Sequence, residues 1–323
     1  MTSLPGIHHV TAIARDPQAN VDFYVGVLGL RLVKRTVNFD DPQTYHLYYG
    51  DAEGSPGSIL TFFPWPGARS GRAGTGQATV TSLSIPAGSV DGWAERLERH
   101  GVDASRSERF GETVLTLRDP DGLRLELVAS SADGDLRPAW GKGVDPALAI
   151  RGIDGVTLTL RNPAPTEALL TDVMGFRPVV AGDGRTRFET GAGGSGTRVD
   201  LVADPSGAPG RVAAGSVHHV AWRVQDDAAQ ERWRSRLAEA LQAPTDVKDR
   251  NYFHSIYFRE PGGVLFELAT DPPGFAVDEP VDGLGAELKL PSWLEPVRGR
   301  VEAALPPLRV PEAVHTGEPG GAG

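Results

Sequence analysis

The stretches IHHVTAIARD (residues 7–16) and VHHVAWRVQD (residues 217–226) decide how this chain folds. Each starts apolar, carries His-His-Val, alternates as a strand does and ends on Asp at a helix start. Working outward, each opens a unit that recurs four times in 323 residues: an opening strand, a helix and closing strands. Copy one has a helix capped at Asp16-Pro17, an apolar stripe of Phe23, Val27 and Leu28, and a stop at Gly29. Its last strand is SILTFF (58–63), after Pro56-Gly57. Copy two opens with ATVTSLSI (78–85), places Trp93 and Leu97 on a helix near 90–100, and closes with LRLELV (123–128). Copy three opens with IDGVTLTLRN (153–162), has a helix near 166–174 and closes with TRVDLV (197–202). Copy four has a helix after Asp226-Asp227 with Trp233 and Leu237 inward, and closes with VLFELA (264–269).

One strand–helix–three-strand unit cannot cover its own sheet face. The expected fold is therefore α+β, with four βαβββ modules paired into two half-open mixed-sheet barrels and helices outside. Residues 1–132 are expected to form an N-terminal domain of two modules, and 151–275 a C-terminal domain of two more. The Gly-, Asp- and Pro-rich stretch 133–150 reads as a linker. Residues 276–323 read as an extension whose last residues, from about 315, are expected to be disordered.

The copies control for one another. At the offsets of His8-His9 and His218-His219, copy three has Asp154-Gly155, so the repeat does not demand His-His. Counting from the Pro-Gly or Pro-Asp-Gly turn, the closing strands place Glu267, Glu126 and Phe62 in one slot. A carboxylate between Phe266 and Leu268 is costly to bury unless it is paired or binds metal. Glu126 has no His on its opening strand and reads as structural. Pairing copies one and four would bring one His from each and Glu267 around one cup. That 2-His-1-carboxylate set suits non-haem Fe(II). Adjacent strand residues face opposite ways, so His9 shares a face with Thr11, and His219 with Ala221. Parity alone leaves open which His of each pair faces the cup.

Bulk properties exclude other classes. No cysteine is present, so disulfides, thiolate metal sites and cysteine nucleophiles are absent. A net charge of −10 argues against nucleic acid as a partner. No apolar run approaches the ~20 residues that span a bilayer. A soluble, cytoplasmic protein is expected, and a homo-oligomer is compatible with the sequence.

At these residues the chain resembles the vicinal oxygen chelate (glyoxalase/bleomycin resistance/extradiol dioxygenase) superfamily. More narrowly, it resembles ring-cleaving dioxygenases of the hydroquinone 1,2-dioxygenase type. The resemblance covers roughly residues 6–295. It is carried by GIHHVT, LRLVKRTVNFDD (30–41), YHLYYGDAEGSPGSILTFFPW (45–65), the second HHVA, DRNYFHSIYFREPGGVLFELATDPPGF (249–275) and LGAELKLP (284–291). The resemblance implies that the second His of each pair and the closing-strand Glu bind the metal: His9, His219 and Glu267. It implies Fe(II) as cofactor, with Mn(II) as a substitute, and a small aromatic diol and O2 as partners. It also implies roles around the substrate for His8, Thr11, His218, Arg250 and Tyr257. His8 and His218 conflict with strand parity if their strands are regular.

Other features weigh less. His46, in TYHLYYG, lacks a repeat partner and reads as structural or supporting. The glycine-rich GRAGTG (71–76) lies between copies and reads as a linker, not a nucleotide loop. Two further readings stand beside a 1,4-diol dioxygenase: an extradiol catechol dioxygenase, and a glyoxalase-type isomerase or metal-free binding module. An isomerase of this superfamily usually has a fourth ligand, and Phe62 in that slot argues against one.

Overall fold

Each opening strand leads into a helix whose start is fixed by a side chain. Asp16 Oδ1 accepts from the Ala19 amide at 2.9 Å, and Asp226 Oδ1 from the Ala229 amide at 2.7 Å. Both satisfy an amide that the first helical turn leaves without a partner. The computed structural model describes residues 3–130, 140 and 143–311. Half of the expected linker and the tail from residue 315 lie outside the described residues.

Module one comprises β1 (Ile7–Ala14), α1 (Pro17–Val21) with a π-helical turn to Val27, β2 (Arg31–Asn38), β3 (Asp41–Gly50) and β4 (Ile59–Pro64). Module two comprises β5 (Gln77–Pro86), α2 (Val90–Arg99), β6 (Ser105–Arg109), β7 (Glu112–Arg118) and β8 (Arg124–Ser130). Module three comprises β9 (Gly152–Leu160), α3 (Ala164–Ala168) with a second π-helical turn, β10 (Arg177–Gly182), β11 (Arg185–Glu189) and β12 (Arg198–Ala203). Module four comprises β13 (Ser216–Val224), α4 (Asp227–Glu239), β14 (Lys248–Asp249), β15 (Phe253–Arg259) and β16 (Leu265–Pro273).

The strands form two eight-stranded sheets. One runs β14-β15-β16-β13-β1-β4-β3-β2, the other β10-β11-β12-β9-β5-β8-β7-β6. The expected α+β fold of paired βαβββ modules is therefore present. Modules one and four share the first sheet and modules two and three the second, so each sheet draws on both halves of the chain. The seams are antiparallel β1–β13 and β5–β9, while each opening strand runs parallel to its own closing strand. Trp93, Trp222, Tyr24, Phe62, Phe266 and Leu28 are fully buried in the core.

The extension docks on edge strand β2. Lys34 is fully buried and forms ion pairs with Asp278 and Glu279. Removing either carboxylate would weaken the pairing of a buried ammonium, which is costly. The contact also covers an edge that would otherwise be open for pairing. The stretch 71–76 is a crossing segment, with bridges Arg72–Arg211 and Thr75–Pro209.

Candidate metal centre and cavity

The seam between β1 and β13 builds the site. Ile7 pairs with Trp222 but His9 with Ala221, so His8 is an extra residue in β1. Thr11 pairs with His219 but Ala12 with Val217, so His218 is an extra residue in β13. These two β-bulges sit at equivalent places and re-aim the side chains around them. They resolve the parity conflict for His218, because the strand is irregular where it lies. The adjacent rings meet edge-on, with centroids 5.1 Å apart for His8–His9 and 5.0 Å for His218–His219.

His9, His219 and Glu267 converge, and among the described residues they form a buried group able to hold a metal ion. His9 Nε2 lies 3.3 Å from His219 Nε2 and 3.4 Å from Glu267 Oε2, and His219 Nε2 lies 2.9 Å from Glu267 Oε2. An octahedral ion with bonds of ~2.1 Å separates adjacent donors by ~3.0 Å, so this triangle matches one octahedral face. Glu267 is fully buried and accepts from Ser255 Oγ at Oε1, while Oε2 has no hydrogen-bond partner. A buried carboxylate oxygen left without a donor is the expected signature of a cation site. The residues thus fit a divalent metal.

Each His of this group is held from behind. His9 Nδ1 is 2.9 Å from His8 Nδ1, and His219 Nδ1 is 2.7 Å from His218 Nδ1. A metal on Nε2 puts the ring proton on Nδ1, which then donates to the preceding His and fixes the ring. That requires a neutral acceptor. Burial, then the neighbouring His9, pulls the His8 imidazole well below its ordinary range, and burial, then His219, brings His218 down to about 3. Burial also lowers His219, against the pull of Glu267. For Glu267 the two imidazoles outweigh burial and hold its carboxyl well below the usual range.

The triad opens into a cavity of about 340 Å³. Phe39, Phe63, Trp65, Phe253 and Leu265 supply apolar walls, and Thr11, His218, Arg250 and Tyr257 also line it. His8 is not among the lining residues; it is 2% exposed and packs edge-on against Phe253. Thr11 Oγ1 is buried without a partner. Arg250 is aimed by a turn in which Asn251 takes φ +65°, a left-handed conformation that Asn tolerates. Its Nε donates to Tyr257 Oη at 3.2 Å and its Nη1 to Asp40 Oδ2 at 3.2 Å. The partner across the mouth is thus Asp40 of module one. Burial pushes the Tyr257 hydroxyl well above its ordinary value, so it remains a donor.

One sequence reading needs amendment. Register, not counting from the turn, sets the closing-strand slot. Ala221 pairs with Glu267, and its counterpart Thr11 pairs with Thr61, so Thr61 fills the slot assigned to Phe62. The connection in module one is one residue shorter, and Phe62 faces the core against Tyr24. Apolar residues on both sides of Thr61, as of Glu267, were the available signal. His46, read as structural or supporting, has a supporting place. It lines the cavity, receives the Tyr48 hydroxyl at Nδ1 (2.8 Å) and bonds Thr61 Oγ1 through Nε2.

The second cup shows what the same slots become without imidazoles. Val80 and Gly155 replace the two His, and Glu126 and Asp200 occupy the closing slots. Arg109 bonds Glu126 through both carboxylate oxygens at 2.9 and 2.6 Å, and Arg187 bonds Asp200 at 2.8 Å. Glu126 is therefore structural. Gly155 is required, because a Cβ there would lie 2.8 Å from Arg198 Cβ.

A sequence profile described as the Glyoxalase/Bleomycin resistance protein/Dioxygenase superfamily matches residues 6–127 and 152–268. The chain belongs to this superfamily. It is 49% identical over 308 residues to a Bacillus subtilis (strain 168) protein provisionally named ring-cleaving dioxygenase MhqO, covering 95% of this chain and 97% of that one. It is 36% identical to chlorohydroquinone/hydroquinone 1,2-dioxygenase of Sphingobium indicum, covering 91% and 93%. A solved Bacillus subtilis structure provisionally called a dioxygenase superposes with TM-score 0.90 at 47% identity, covering 97% of this chain and 100% of that one. Maize glyoxalase I shares the superfamily's fold, at TM-score 0.61 and 16% identity, covering 82% and 92%. The resemblance read from the sequence is borne out.

Proposed function

We propose that this protein is an Fe(II)-dependent dioxygenase that cleaves the ring of a hydroquinone-type 1,4-diol, with Mn(II) able to replace iron. The observation that carries the reading is the open triangle of His9, His219 and Glu267 at the base of an aromatic-walled cavity. The names of the relatives support ring cleavage and a hydroquinone-type substrate. Bound Fe(II) would supply the electron transfer that lets an aromatic ring react with O2.

The chain's own residues then have separate tasks. Phe39, Phe63, Trp65 and Phe253 hold the ring and exclude water, which strengthens electrostatic interactions inside the cavity. Arg250, a cation at every working pH, stabilises negative charge that develops on the substrate. Tyr257 donates its hydroxyl proton as a hydrogen bond to a substrate oxygen. Thr11 offers an otherwise unpartnered hydroxyl to the same space. His218 lines the cavity and holds the His219 Nδ1 proton, while His8 holds that of His9 from outside the cavity.

The test is O2 uptake by anaerobically prepared, Fe(II)-loaded protein with hydroquinones, catechols and methylglyoxal–thiol adducts. Uptake with hydroquinones in preference to catechols supports the reading. Uptake with catechols alone transfers the activity to the extradiol class, and isomerisation of the thiol adduct without O2 uptake overturns ring cleavage.

A further inference from the structure

The first cup has four equivalent ligand slots, two on the opening strands and two on the closing strands. His9, His219 and Glu267 fill three, and Thr61 fills the fourth. The symmetry extends one strand further. Tyr257 pairs with Glu267 and Tyr48 with Thr61, so Ser255 and His46, each two residues before its Tyr, are counterparts. Ser255 donates to Glu267, and His46 bonds Thr61 in the same way. The Ser–Glu pair of one half is thus a His–Thr pair in the other.

We propose that His46 and Thr61 occupy the fourth protein-ligand slot without acting as ligands, leaving the triad's remaining coordination positions free for substrate and O2. A threonine is too short to match the reach of Glu267. The His46 ring covers it and cannot substitute as a donor, because both its nitrogens are committed, to Tyr48 and to Thr61. The ring is fixed between Tyr48 and Phe63, at centroid distances of 4.1 and 4.3 Å. Thr61 itself is fully buried, and His46 is not part of the converging group.

This inference rests on the triad binding a divalent metal, and the experiment separates the two. Mn(II) affinity and water-proton relaxation, which reports exchangeable water on bound Mn(II), are measured for the whole protein. The double variant His46→Ser with Thr61→Glu copies the Ser255–Glu267 pair onto the opposite half. It is expected to bind Mn(II) about tenfold more tightly and to lose about one third of the relaxation, one of ~3 open octahedral positions. His46→Ser with Thr61→Ala should keep the wild-type relaxation. Equal relaxation in the two double variants overturns the proposal. Should the glutamate variant not fold, Thr61→Val, which keeps the side chain's shape, still decides. Unchanged Mn(II) affinity and relaxation support the proposal, and a tenfold loss of affinity makes Thr61 a ligand and overturns it. Wild-type protein that takes up no Mn(II) overturns the metal reading itself.

Discussion

Glu267→Gln separates a metal ligand from a structural ion pair, because the two roles predict different effects on the metal-free protein. The substitution keeps shape and keeps an oxygen to accept from Ser255, while removing a buried charge whose Oε2 has no hydrogen-bond partner. His219 is held neutral at pH 8 by burial, so its 2.9 Å contact with Glu267 contributes little as an ion pair there. The metal-free variant is therefore expected to melt within about 1 °C of wild type. Metal changes this. At a hundredfold excess over Kd, a ligand stabilises the native state by ~2.7 kcal/mol. Unfolding entropy of ~2.1 cal/mol/K per residue over 323 residues gives about 0.7 kcal/mol per degree, hence a Tm rise of about 4 °C. At the same Mn(II) concentration the variant should shift by less than about 0.5 °C. Scanning calorimetry with and without Mn(II), at pH 8, reads both quantities. A structural pair would instead cost ~3–5 kcal/mol when broken, about 4–7 °C in the metal-free protein. That drop, or a metal shift equal to wild type, would refute the reasoning.

Three further outcomes follow from particular contacts. Tyr257→Phe removes the hydroxyl that meets Arg250 but no ligand, so Mn(II) binding should persist while kcat falls ~10- to 100-fold in steady-state O2 uptake. Arg187→Met leaves Asp200 and Glu112 poorly compensated in the second cup; denaturant unfolding should show a loss of ~3–5 kcal/mol with metal stoichiometry unchanged. Burial raises the Asp119 carboxyl to about 6, so the native state holds a proton that the unfolded chain releases near 4. Stability from this group therefore falls as pH rises from 4 to 6. Relative to Asp119→Asn, wild type should lose about 2 kcal/mol across that window by urea titration at each pH.

The repeat, its strand–helix–strand order and the meeting of modules one and four could be read from IHHV and VHHV, because periodicity and internal copies are local signals. What escaped was register. The single-residue shift that puts Thr61, not Phe62, opposite Glu267 depends on a connection length whose path is set in three dimensions. The bulges at His8 and His218 were hidden for the same reason, since a bulge is a property of two paired strands. Asp40 and Arg250 lie far apart in sequence and meet across the cavity mouth only after folding. The arginines of the second cup show why Gly155 is glycine, which the comparison of copies alone could only register as a missing His.

The central claim is tested most directly by the product. Anaerobically loaded Fe(II) protein is given a hydroquinone and oxygen-18 gas, and the ring-opened product is weighed by mass spectrometry. The account predicts both oxygen atoms in the product with wild type and no product with His219→Ala, which should fold but not retain iron. Ring opening by His219→Ala, or no O2 consumption by iron-loaded wild type with any diol, would contradict it.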